Sequence, residues 1–148
     1  MKKLIPLLFA LVAPHAVAQT PAAVPEEHRQ LVTLPAPAQA AQRADMLDHL
    51  AALNEILGYA AEGKWQDAAD TAEKRLGESS MGKYRIALRG QGPGRFMPEP
   101  MRQLGWNMHG AASQFAKTAR EGDSAKSLAA LQQVMASCVA CHMSYRTR

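Results

Sequence analysis

Residues 123–148 read DSAKSLAALQQVMASCVACHMSYRTR. Within this stretch Leu128, Leu131, Met135, Cys138, His142 and Tyr145 recur at steps of three or four, the spacing that lines one side of an α-helix. Asp123-Ser124 offers the short polar side chains that cap such a helix at its start. Inside the stripe lies Cys138-Val139-Ala140-Cys141-His142, the C-x-x-C-H pattern through which haem is attached covalently. Residues three and four apart share a helix face, so both thiols and the imidazole point the same way. The thiols can then add to the two haem vinyl groups while His142 reaches the iron. One covalent haem c, with His142 as axial ligand, is the expected cofactor.

Other uses of the two cysteines fit less well. A disulfide between Cys138 and Cys141 would close a very small loop and restrain the unfolded chain little. A thioredoxin-like pair belongs to a βαβ setting near a helix start, whereas this pair ends a run of helices. Zinc would need further ligands, and His15, His28, His49 and His109 form no matching pattern.

The chain opens with Lys2 and Lys3, an apolar run from Leu4 to Ala13, and the small residues Ala16-Val17-Ala18. These are the three parts of a signal peptide over residues 1–18, cleaved before Gln19. The apolar run is shorter than the roughly 20 residues of a membrane span, and Pro6 and Pro14 would spoil a helix there. A periplasmic protein with no stable membrane span is the expectation. In an oxidising compartment two solitary cysteines become a disulfide unless something else claims them, which again favours haem.

The formal charge is +4, but removing Lys2 and Lys3 from the 17 basic residues leaves 15 against 13 acidic ones. No dense basic run appears, so a nucleic-acid partner is not expected. Only 5% of residues are aromatic and alanine recurs throughout, which suits close-packed helices better than strands.

Residues 19–37 carry Pro21, Pro25, Pro35 and Pro37 among alanines and read as a Pro/Ala-rich extended arm. Within it, Pro25-Glu26-Glu27 could open one short helix. Three further apolar stripes precede the one already described. The first is Met46, Leu50, Leu53, Leu57 and Ala60, ending at Gly63; the second is Trp65, Ala68, Ala72 and Leu76, ending at Gly77. The third is Met101, Leu104, Met108, Ala112 and Phe115, ending before Gly122. Between Ser79 and Pro100 the glycines and prolines are too dense for a regular element. Residues 38–148 are therefore expected to form an all-α domain, an antiparallel four-helix bundle with haem attached at its C-terminal end. Trp65, Trp106, Phe115, Met101, Met108 and Met135 are expected in its core, and His109 at the surface or hydrogen-bonded within the fold.

Cys138, Cys141, His142, Tyr145 and Arg146 together make a C-terminal Cys-x-x-Cys-His-x-x-Tyr-Arg that resembles the class II cytochromes c, the cytochrome c-prime family. The resemblance spans roughly Ala40 to Arg148 and is specific only in the last ten residues. It implies that Arg146, and Arg43 near the start of the first helix, lie close to the haem propionates. It also implies one of two roles. With a methionine as sixth iron ligand, as in a low-spin methionine-ligated branch, the protein would be an electron carrier serving redox partner proteins. With that position open, it would bind nitric oxide or carbon monoxide. Met46 is the expected sixth ligand, because the start of the first helix and the end of the fourth lie together in an up-down-up-down bundle. Leu47, four residues after Arg43, could instead take the distal place, and Met97 in the glycine-rich loop is a third possibility. No clear distal His/Arg pair suggests an enzyme. The resemblance makes a homodimer plausible.

Overall fold

The computed structural model describes residues 26–148; the expected signal peptide and the first part of the arm lie outside them. Two-residue strand β1 (Gln30–Leu31) is followed by α1 (Ala36–Ala61), α2 (Trp65–Arg75), α3 (Glu99–Arg120), α4 (Ser124–Ser144) and strand β2 (Tyr145–Arg146). The all-α four-helix architecture is that expected from the stripes.

Each boundary has a local cause. Pro35 and Pro37 flank the first helical residue of α1, where a missing N–H costs no intrahelical bond. At its other end Gly63 adopts φ 71°. The Gly63 N–H then bonds the Ala60 carbonyl at 3.1 Å and the Lys64 N–H bonds the Tyr59 carbonyl at 2.8 Å, a paired C-terminal cap that a side chain at residue 63 would strain. Asp123 caps α4, its Oδ1 accepting from the Lys126 N–H at 3.0 Å. From Leu76 to Pro98 the chain forms no α-helix, only the 3₁₀ segments Glu78–Ser80 and Pro93–Arg95 and a run of hydrogen-bonded turns over residues 81–90, as the density of glycine and proline requires.

Helix α1 packs on α2, α2 on α3 and α3 on α4, so neighbours in sequence are neighbours in space. The interior joins Ala52 and Ile56 of α1, Ala68, Ala69 and Ala72 of α2, Ala112, Phe115, Ala116 and Ala119 of α3, and Leu131 and Val134 of α4. Alanine at so many contact points lets helix backbones approach closely, and Phe115, fully buried, fills the space that remains.

The arm is extended as far as it is described, but it is packed. β1 pairs in parallel with β2, Gln30 opposite Tyr145 and Leu31 opposite Arg146, and the Val32 N–H adds a bond to the Arg146 carbonyl at 2.8 Å. Val32 and Leu34 are buried with Ala38 and Met101 in a second, smaller core. This pairing brings the start of α1 to the end of α4. Helix α1 begins at Ala36, two residues before the expected boundary, and no helix forms over Glu26 and Glu27; Glu27 binds Arg29, and pairing with β2 begins at Gln30.

Several stripe residues face outward. Leu50 is 67% exposed and Leu57 46%, whereas Ala52 and Ile56 are wholly buried. In α4, Ser127, Leu131 and Val134 hold the core while Leu128 and Met135 are exposed. Trp106 is also half exposed, its ring 5.5 Å from the Arg102 guanidinium, instead of sitting in the core. Helices α1 and α4 are apolar over more than one face, and a periodic pattern does not say which face meets protein.

Candidate functional site

The second apolar face of α1 opens on a cavity of about 680 Å³, within the roughly 300–1,000 Å³ of pockets that hold small molecules and cofactors. It lies between α1, α3, α4 and the long connection. Met46, Leu47, Leu50 and Leu53 wall it from α1, and Met101, Leu104 and Met108 from α3. Cys138, Cys141 and His142 reach it from α4. Leu50 of the first stripe is thus exposed to this cavity, and Leu53 lies between the cavity and the main core.

Both thiols are free and half-buried, and burial pushes each above the ordinary cysteine value. They therefore stay protonated at neutral pH. Cys138 packs against the main core and Cys141 against the smaller one beside β1, so the interior of both holds the motif helix in place. His142 is exposed at the cavity edge, and its backbone carbonyl accepts a 3.4 Å hydrogen bond from Arg29 Nη1. Two unpaired thiols and an imidazole on one wall, facing apolar surface that the protein leaves uncovered, fit a covalently held haem.

Of the other residues expected at the site, Met46, Leu47 and Met97 all line the cavity. Arg43 and Arg146 do not. Arg43 is exposed on α1. Arg146 turns toward the arm, its Nε 3.9 Å from Glu27 and its Nη1 donating to the Arg148 carbonyl. The parallel strand pair decides this, since pairing of Leu31 with Arg146 sets the side chain among arm residues. Glu27 itself is held down to about 2 by hydrogen bonds from Arg29.

Two histidines of the cavity wall form a pair that their sequence positions do not reveal. His49 and His109 stand edge to face with ring centroids 5.9 Å apart. His109 Nδ1 is 2.7 Å from the Leu76 carbonyl oxygen; a carbonyl only accepts, so Nδ1 carries the hydrogen and His109 is satisfied within the fold, as expected. Burial pulls the His49 imidazole down to about 4, against the opposite pull of Asp45. Because an unfolded histidine titrates near 6.5, the unfolded chain binds the extra proton between pH 6.5 and 4. The stability that a neutral His49 provides is therefore intact above pH 6.5 and lost as the pH falls toward 4, a change on the order of 3 kcal/mol. Denaturant midpoints measured from pH 7.5 to 4.5 are expected to drop more steeply in the natural protein than in His49→Gln; parallel curves would contradict this.

The long connection contributes what a reading of stripes leaves out. Lys83 ion-pairs with Asp45 at 2.7 Å, and Arg75 with Asp48 at 2.6 Å, tying the connection and α2 to the polar side of α1 and holding it over the cavity. The available signal was composition: residues 81–97 hold Lys83, Arg85, Arg89 and Arg95 without a single acid.

No curated protein and no solved structure gives a match to the chain. The family model described as Cytochrome C' matches residues 97–146, the segment containing α3, α4, β2 and the C-x-x-C-H motif. That match covers about a third of the chain and, with the motif set on the wall of a cavity in a four-helix bundle, supports kinship with the cytochrome c-prime family, which implies covalently bound haem c.

Proposed function

We propose that the protein is a periplasmic electron carrier, exported by the signal peptide of residues 1–18, in which one haem is held by Cys138, Cys141 and His142 with Met46 as sixth ligand. It serves redox partner proteins and catalyses no reaction of its own. When bound, the haem supplies a one-electron ferric/ferrous couple, whose potential His/Met ligation raises. The chain's own part is to orient and to exclude. Thioether bonds from one turn of α4 fix the orientation of the group, His142 donates from the same turn, and Leu47, Leu50, Leu53 and Leu104 keep water from the cavity walls.

The observation that carries this reading is Met46, a thioether donor on α1 lining the same cavity that α4 enters with its cysteines and histidine. Among the described residues no helix is long and apolar enough to cross a membrane, in keeping with a carrier that diffuses between partners.

Leu47 favours a second reading. It lines the cavity one position further on, 65% exposed, and as the distal residue it would leave the sixth position open to nitric oxide or carbon monoxide. Optical spectra separate the two. The first reading expects a low-spin ferric spectrum with a methionine charge-transfer band and no carbon monoxide complex in the reduced state, with Met46→Ala converting the protein to high spin. A high-spin spectrum and rapid carbon monoxide binding in the unmutated protein would establish gas binding instead.

A further inference from the structure

Resting on the reading of the cavity as a haem site, we propose that Arg85 and Arg95, both on the long connection, are the partners of the two haem propionates in this chain. The charge inventory of the cavity leads there. Its charged and titratable wall residues outside the C-x-x-C-H motif and Tyr84 are Asp45 and His49 on α1, Lys83, Arg85 and Arg95 on the connection, and Arg102 and His109 on α3. Asp45 is the one acid among them, and Lys83 takes it at 2.7 Å. Arg102 is taken by Glu99, one turn before it on the same helix. Arg85 and Arg95 remain, and neither makes a salt bridge among the described residues.

Two exposed guanidinium groups without an acidic partner on the wall of a largely apolar cavity call for two anions. A haem has two carboxylates on one edge, and arginine binds carboxylate through parallel N–H donors. Both arginines are exposed, which suits a pair formed on an exposed part of the cavity wall, where the carboxylates keep part of their hydration. The alternatives are poorly placed: Arg43 does not line the cavity, and Arg146 is turned to the arm beside Glu27.

The test uses the haem-loaded protein and reads the propionates themselves. Reduction potential is followed against pH, and carboxylate ionisation by infrared difference spectroscopy, in Arg85→Gln, Arg95→Gln, the double variant and the Lys replacements, with Arg43→Gln and Arg146→Gln alongside. An opposite charge at close range lowers a carboxyl pKa by about one to three units. The double variant is therefore expected to move propionate protonation upward by about that amount and to lower the potential at neutral pH. Each single variant should move one ionisation, and Arg85→Lys and Arg95→Lys should retain most of the natural behaviour. Unchanged ionisation and potential in a haem-bearing double variant would overturn the assignment alone. So would the same shifts appearing in Arg43→Gln or Arg146→Gln. A natural protein that carries no covalent haem would overturn the reading of the cavity and this assignment with it.

Discussion

Replacing both Cys138 and Cys141 by alanine is expected to abolish haem staining of the protein band on a denaturing gel, in cells where the natural chain stains. The thiols are free and stand on one helix face at the wall of a large cavity. Thioether formation is the use of that arrangement that leaves no bond to be broken by detergent. Either single variant keeps one point of attachment and should stain more weakly. The effect should extend to stability. Without a tethered group the cavity walls, Leu47 and Leu50 among them, stay wet, and the folded state loses the apolar contacts that the group makes only when the cavity is formed. A double variant that stains like the natural protein, or a natural protein recovered colourless with an intact Cys138–Cys141 disulfide, would refute covalent attachment.

His142→Ala is expected to have the second-largest effect, and of a different kind. The thioether bonds survive, so the gel band still stains, but the axial imidazole is gone and the ferric spectrum should change. Losing a metal ligand is among the few single changes that cost several kcal/mol. For a domain of this size a loss of about 3 kcal/mol lowers the thermal midpoint by roughly 10 °C. His142 is exposed and makes few contacts that alanine would forfeit, so in a chain without haem the same substitution should be nearly silent. A haem-bearing variant with unchanged spectrum and midpoint would remove His142 from the iron.

The two experiments probe the part of the molecule most legible before any coordinates. Cysteine, cysteine and histidine at positions i, i+3 and i+4 are juxtaposed by the helix itself, and Asp123 and Gly63 act within one turn of where they stand. The expected bounds of the last helix were good for the same reason. Met46 could be assigned to the haem end because, in a bundle with short links, direction alternates along the chain.

Apolar periodicity was less informative where a helix has two apolar faces. Leu50 and Leu53 recur with the helical period as Ala52 and Ile56 do, but only the latter pair is wholly buried against the neighbouring helices. The first three residues of the first stripe, Met46, Leu50 and Leu53, line the cavity. Arg43 and Arg146 were placed by resemblance, and β1, a strand too short to carry a pattern, pairs with β2 and draws Arg146 toward the arm.

Local spacing, determined by the sequence alone, therefore accounts for four helices, their caps and the face shared by Cys138, Cys141 and His142, since each depends on residues within about a turn of one another. Which apolar face meets protein and which meets the cavity, the pairing of His49 with His109 across α1 and α3, and the placement of Arg85 and Arg95 on the cavity wall were decided only in the tertiary structure. These depend on how rigid helices rotate and dock as the chain closes on itself, and contacts between residues far apart in sequence leave no period to read.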